Sequence, residues 1–91
     1  MKDMFTVIFQ PVLDWKEYDC SCEVMIEDCR LHVKTHEAPP FVWTLYDPSG
    51  CSIASDNTVA LDIAKVECEI ALLEEVERQE KRLARIRRAL L

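Results

Sequence analysis

The last third of the chain has the apolar spacing of one long helix. From Thr58 to Leu91 there is no glycine and no proline, and large apolar residues recur every three or four positions apart from one seven-residue gap. This is the period of one helical face. A helix of this length extends about 50 Å, which is longer than a small domain is wide. Part of it should therefore project and need a partner, either a second copy or a target. The stripe comprises Val59, Ile63, Val66, Ile70, Leu73, Val76, Leu83, Ile86 and Leu90.

Composition indicates a small globular domain. The 91 residues are 49% hydrophobic and 31% charged with a single glycine, so we expect one domain over residues 1–91. No apolar run approaches the roughly 20 residues of a membrane span, and no signal peptide is recognisable. The five cysteines are an odd number, which predicts reduced thiols in a cytosol that serve as small hydrophobic residues. Cys20, Cys22 and Cys68 are expected in the core or at its margin.

Two segments have clear strand patterns. Phe5, Val7 and Phe9 alternate with the residues at positions 4, 6, 8 and 10 (Met, Thr, Ile and Gln) before Pro11 and predict a strand. Residues 41–46 have high strand propensity, and residues 47–50 (Asp-Pro-Ser-Gly) suit a type I turn. A return strand over residues 51–54 would place Ile53 opposite Leu45. The residues predicted to cap the helix are Ser55, Asp56 and Thr58.

Residues 14–36 fit two structures. Asp14-Trp15-Lys16-Glu17 resembles a helical capping box, whereas the following residues alternate as in a hairpin with Glu27-Asp28 as its turn. In the hairpin register the apolar residues share one side of the ribbon and complementary charges share the other, which favours the hairpin. Glu-Asp is a poor primed turn, so the helix stays open. The predicted facing pairs are Ile26 with Cys29, Val24 with Leu31, Cys22 with Val33, Glu23 with His32, and Asp19 with His36.

These patterns predict an α+β fold. Residues 1–56 should form mainly strands, and residues 57–91 one long helix. The expected architecture is an antiparallel meander of four or five strands packed against that C-terminal helix. The gap in the stripe leaves two alternatives open: the helix is continuous, or it breaks near Gln79–Glu80 and folds back.

No catalytic, cofactor or metal site is predicted. Ser49 and Ser52 lack a nucleophile elbow, and a chain with one glycine cannot readily build a phosphate loop. Cysteine and histidine occur close together at residues 20–36, but one residue separates the first cysteine pair and no second pair follows, unlike a zinc site. Core thiols and cross-strand charge partners are the simpler interpretation.

The net charge of −6 falls in residues 1–57, because acids and bases balance in the helix. An acidic strip on a strand would repeat about every 6.6 Å, comparable with phosphate spacing, and could occupy a basic nucleic-acid channel. The alternative is a solvated face partly neutralised by nearby basic residues. The strip comprises Asp14, Glu17, Asp19, Glu23, Glu27 and Asp28.

The end of the helix is both apolar and basic. Cations at this end interact favourably with the helix dipole. The acidic block at residues 67–80 precedes a basic block at 81–88, so an antiparallel homodimer could also form. The basic end could contact nucleic acid, and a hairpin followed by a helix loosely resembles the double-stranded-RNA-binding domain. However, residues 58–65 lack that family's lysine cluster and the net charge opposes such binding. The candidate contact residues are Leu83, Arg85, Ile86, Arg87, Arg88 and Leu90.

In size and style the chain resembles small phage-encoded inhibitor proteins such as anti-CRISPRs. The resemblance rests on a short acidic chain, the Asp47-Pro48-Ser49-Gly50 hairpin with Trp43, and a helix rich in Ala and Glu, and covers residues 41–75. It implies a non-enzymatic inhibitor in the cytoplasm of a bacterial host that docks on a nucleoprotein complex and blocks nucleic-acid access. The alternatives are a homodimeric structural or regulatory module, and a small nucleic-acid binder. Neither a membrane partner nor direct nucleic-acid binding is expected.

Overall fold

Five antiparallel strands follow one another across a single sheet, and one long helix crosses one face of that sheet. The computed structural model describes residues 10–35 and 39–91. The strand order β1-β2-β3-β4-β5 confirms the predicted meander and the α+β fold. The elements are β1 (Lys16–Glu17), β2 (Ser21–Ile26), β3 (Cys29–Lys34), β4 (Phe41–Tyr46), β5 (Ser52–Thr58) and α1 (Leu61–Leu90). The strand predicted around Phe5, Val7 and Phe9 lies outside the described residues.

The β2–β3 hairpin has the predicted register. Glu27 and Asp28 form its two-residue turn with φ angles of 48° and 69°, as a primed turn requires. Neither residue favours positive φ, so the facing side chains rather than the turn residues select the hairpin. The helical alternative for residues 14–29 is therefore wrong, and β1 lies there instead. The predicted pairs Ile26–Cys29, Val24–Leu31, Cys22–Val33 and Glu23–His32 are all present, whereas His36, the expected partner of Asp19, is outside the described residues.

The β4–β5 hairpin turns at residues 47–50 as predicted. The Asp47 carboxylate accepts hydrogen bonds from the Ser49 amide at 2.9 Å and the Cys51 amide at 3.0 Å, and Gly50 supplies the positive φ of 91°. The return strand runs to Thr58 and is longer than expected. A register shift beside Leu45 places Ala54 opposite that residue, so the prediction that Ile53 would lie there is wrong.

The helix begins later than residue 57 and lacks a side-chain cap. Its N-cap is Ala60, which makes no capping hydrogen bond through its side chain. The predicted caps Ser55, Asp56 and Thr58 belong to β5. Ser55 instead donates its hydroxyl to the Trp43 carbonyl at 2.8 Å. The polar residues that were predicted to cap the helix are thus part of the strand that pairs with β4.

The core lies between α1 and the inner face of the sheet, by which we mean the face that contacts α1. Leu31, Val33 and Leu45 are fully buried there, and the helix approaches them with small residues. The predicted stripe of large residues is displaced from this contact: Val66 is buried, whereas Val59, Ile70 and Leu73 are exposed. Large side chains already fill the sheet face, so the helix can approach closely only through small ones. The helix residues of the core cluster are Ala64, Cys68 and Ala71, with Leu61 and Leu72 packed against it.

The second half of α1 extends beyond the sheet without a break. At 1.5 Å per residue the helix is about 45 Å long, and the molecule measures 52 Å in its longest dimension. Every residue from 76 to 90 is exposed; we call this part the overhang. The helix is continuous through Gln79 and Glu80, so the fold-back alternative does not occur. Within the described ranges no helix is long and apolar enough to cross a membrane.

Candidate functional site

The six acidic residues of the predicted strip do not form one row. Asp14, Glu17 and Asp19 lie on or beside β1 and are exposed. Glu27 and Asp28 form the turn at the other end of β2. Because β1 runs antiparallel beside β2, Glu17 lies opposite Cys22 and Asp14 lies near Met25 and Ile26, towards that turn. The strip is therefore spread over the β1 edge, β2 and the β2–β3 turn.

Glu23 lies among basic residues on the outer face, the face of the sheet opposite α1. It is opposite Lys16 on one side and His32 on the other, and its carboxylate is 3.3 Å from the Arg30 guanidinium. Glu17 pairs with Cys22 and so lies on the inner side. The geometry at Glu23 therefore matches the interpretation of this segment as a solvated face whose charges are neutralised by nearby basic residues.

Burial lowers the pKa of His32 from its ordinary value, and this effect exceeds the opposing influence of Glu23. Beside it, the Arg30 guanidinium lies 4.3 Å from the centre of the Tyr46 ring. The centre of the outer face is thus a compact set of paired charges and an aromatic ring.

A buried carboxylate, Glu69, holds residues 12–15, here called the N-terminal segment, against the helix. It is 8% exposed and accepts hydrogen bonds from the Val12 amide at 3.0 and 3.2 Å, the Leu13 amide at 3.0 Å and the Trp15 indole at 2.8 Å. On the same helix Glu67 accepts a bond from the Trp43 indole at 2.9 Å. Sequence patterns missed Glu69 because backbone amides distant in the chain supply its partners. The two tryptophans, whose indole N–H groups need an acceptor when they are buried, are the sequence signal that could have indicated these contacts.

The predicted apolar residues of the helix end share one face of the overhang. Leu83, Ile86 and Leu90 are 57%, 44% and 79% exposed. Towards the sheet the same face continues through Gln79, Val76 and Leu72, with alternating spacings of four and three residues. This is the a/d pattern of a coiled coil. We call these six residues the seam: Leu72, Val76, Gln79, Leu83, Ile86 and Leu90.

The basic residues of the helix end flank the seam. Arg87 lies next to it and contributes to the same shallow apolar surface as Leu83, Ile86 and Leu90. Arg85 and Arg88 lie farther round the helix, and all three are exposed. Of the six helix-end residues that the sequence singled out, the structure brings four together on one surface and leaves Arg85 and Arg88 outside it.

An open groove of about 460 Å³ lies where α1 leaves the sheet. Its apolar lining comes from the seam on one side and from Ile53 and Pro48 on the other. Its rim is acidic, with Asp47, Glu75 and Glu80. We call this the end groove.

Two of the rim acids, Asp47 and Glu75, are held ionised at neutral pH by hydrogen bonds. A hydrogen bond from Ser49, followed by backbone amides, lowers the pKa of Asp47. Hydrogen bonds from Gln79 and Arg78 lower the pKa of Glu75. The groove therefore combines an apolar floor with negative charge at its edge, which suits an apolar segment that carries basic residues.

The five thiols are free and differ in burial. Cys22 and Cys68 are buried, Cys29 is half-buried, and Cys51 is exposed. Cys20 is exposed as well, so its predicted place in or beside the core is wrong; it lies in the turn before β2. Burial raises the pKa of Cys68 to about 12. In residues 10–35 and 39–91 no three His, Cys, Asp or Glu side chains come together as a metal site would require.

Comparison with known proteins gives no relative. No protein-family model matches the chain, and searches of curated proteins and of solved structures find no significant match. The seam, the end groove and the charged residues of the sheet are therefore the features that bear on function.

Proposed function

We propose that this chain is a non-enzymatic protein-binding module whose contact surface is the seam together with the end groove. The observation that carries the proposal is the overhang: a continuous helix projects from the sheet with a regular apolar face exposed. Soluble proteins rarely expose a contiguous apolar strip without a binding role. An amphipathic helix that offers such a face is a recurrent means of protein recognition.

The shape of the surface favours a helical partner. The seam has coiled-coil spacing, so a second helix could insert its side chains between those of the seam. The end groove extends the same apolar surface onto the sheet through Ile53 and Pro48. A partner helix lying along the seam would thus contact both parts of the molecule, which would hold it in one position.

Site-specific photo-crosslinking tests this proposal. A photoreactive phenylalanine analogue at Leu83 lies on the seam, whereas the same analogue at Lys81 lies on the opposite side of the overhang. In cells that express the protein, we expect covalent protein adducts from Leu83, identified by mass spectrometry, and few from Lys81. Equal yields from both positions, or none from Leu83, would contradict a binding role for the seam.

A second candidate is an inhibitor that docks acidic residues on a basic channel of a host nucleoprotein complex, as in the phage-encoded proteins that the sequence resembles. Three exposed acids at one sheet edge, Asp14, Glu17 and Asp19, support this candidate. A cytoplasmic location in a bacterial host belongs to the same proposal and agrees with the odd number of cysteines.

Charge reversal distinguishes the second candidate from the first. Changing Asp14, Glu17 and Asp19 to Lys should abolish salt-sensitive association with a host nucleoprotein complex. Exposed charges contribute little to stability, so the fold should persist. The control changes Arg85, Arg87 and Arg88 to Glu and should retain that association. If the acidic variant binds normally, the inhibitor candidate is wrong.

A further inference from the structure

We infer that the occupant of the seam and end groove is a second copy of this chain, with the two overhangs antiparallel. This inference rests on the proposed protein-binding function and specifies its partner. The overhang carries both the apolar surface that needs covering and the charges that would meet the groove, so one chain has both halves of the interface.

The seam is matched to itself in one antiparallel register. With the twofold axis beside Lys81, Val76 lies opposite Ile86 and Gln79 lies opposite Leu83. In the same register Leu72 lies opposite Leu90, so every seam position has a seam partner. These are the mixed a-to-d layers that antiparallel coiled coils form.

Gln79 is the single polar residue of the seam, and its amide is already engaged. Its Nε2 donates to the Glu75 carboxylate at 3.0 Å. The methylene groups of Gln79 can therefore face Leu83 of the other copy without leaving that amide donor unpaired. A polar residue near the middle of an otherwise apolar seam also disfavours alternative registers.

The charges beside the seam oppose a parallel arrangement. In a parallel pair, the flanking positions that face each other between helices are Glu75 with Glu80 and Arg82 with Arg87. Both pairs are like-charged and repel each other. In the antiparallel pair such contacts remain only beside the twofold axis, where Glu80 and Arg82 each face the same residue of the other copy. Elsewhere the acidic half of each overhang lies beside the basic half of the other.

The end groove accepts the other copy's helix end. In the antiparallel register Leu90 of the second copy reaches Leu72, which lines the groove together with Ile53 and Pro48. The basic residues near that helix end then approach the acidic rim of Asp47, Glu75 and Glu80. Apolar fit and charge complementarity therefore agree at both ends of the pair.

Distances between spin labels on the two copies test the arrangement. Glu74, Lys81 and Arg88 are one heptad apart on the side of the helix away from the seam, so labels there leave the interface intact. Each is changed to Cys in turn, in a chain carrying Cys20→Ser, Cys29→Ala and Cys51→Ser. In the antiparallel pair the axial separation is near zero at position 81 and about 21 Å at positions 74 and 88.

We therefore expect the shortest distance at position 81 and two similar, longer distances at positions 74 and 88. Equal distances at all three positions would show a parallel pair and overturn the inferred arrangement. The absence of intermolecular coupling at high micromolar concentration would overturn self-association itself. Either result can be distinguished from failure of the proposed function by photo-crosslinking. Adducts between position 83 and another protein would show that the seam binds a partner other than a second copy.

Discussion

Removing the Glu69 carboxylate should destabilise the fold more than any exposed change on the same helix. In Glu69→Ala the amides of Val12 and Leu13 and the indole of Trp15 lose their acceptor. Hydrogen bonds to a charged group contribute about 1.5–3 kcal/mol each. Val12 is largely exposed, so water can replace its bond. The better helix propensity of Ala offsets a few tenths of a kcal/mol. The net loss should be about 2–4 kcal/mol.

Thermal and urea denaturation at fixed protein concentration measure this loss. For a domain of this size, about 1 kcal/mol corresponds to roughly 4–8 °C in Tm, so Tm should fall by about 8–32 °C. Glu69→Gln keeps one acceptor oxygen and should lie between Glu69→Ala and the parent. The exposed Glu74→Ala is the control and should stay within about 0.5 kcal/mol of the parent.

Amide hydrogen exchange gives an independent reading. Protection at Val12 and Leu13 should drop in Glu69→Ala and persist in Glu74→Ala, because only the first change removes the acceptor of these amides. If Glu69→Ala is no more destabilising than Glu74→Ala, and both amides remain protected, then Glu69 does not hold the N-terminal segment in the way described.

Two further predictions concern titratable groups. At about pH 8, iodoacetamide should modify the exposed Cys20 and Cys51 rapidly and leave Cys68 unmodified until denaturant is added, because burial raises the pKa of Cys68 to about 12. Mass spectrometry measures the labelling, and equal labelling of Cys68 and Cys51 in the native protein would contradict this prediction. Because burial lowers the pKa of His32 below its ordinary 6.5, the unfolded chain binds the proton more readily. Stability should therefore fall as pH drops below 6.5 and level off below the folded-state pKa. Urea midpoints at pH 7.5 and 5.5 should differ less in His32→Gln than in the parent, and an unchanged difference would refute the role of His32.

Local patterns were sufficient for the hairpins and for the existence of the helix. Alternation around Glu27-Asp28 predicted the β2–β3 register because each face of that ribbon pairs with its own neighbours. The turn at Asp47 was predictable because its proline, glycine and side-chain acceptor all act within a few residues.

Features set by distant residues were not predictable from local patterns. Which helical face contacts the sheet depends on how much volume Leu31, Val33 and Leu45 already fill, so the small residues at Ala64 and Cys68 mark that face. Periodicity alone favoured the larger residues. The missing side-chain cap has a similar origin, since Ser55 and its neighbours pair with β4.

The two candidate surfaces differ for the same reason. The apolar helix-end residues come together because three- and four-residue spacing determines the face of a continuous helix. The acidic residues do not form one row because they extend across β1, a turn, β2 and a second turn, and each turn changes the direction of the chain. A row along one strand would have needed same-face positions within a single element.

Sedimentation velocity of the purified chain tests the central claim, that the seam of α1 is a binding surface which a second copy covers. Leu83→Glu places a charge in the seam, whereas Ala84→Glu places the same charge on the neighbouring exposed position outside it. The parent and Ala84→Glu should show a concentration-dependent shift from monomer to dimer across the micromolar range, and Leu83→Glu should remain monomeric. A parent chain that stays monomeric at high micromolar concentration, or a Leu83→Glu variant that associates as the parent does, would contradict this account.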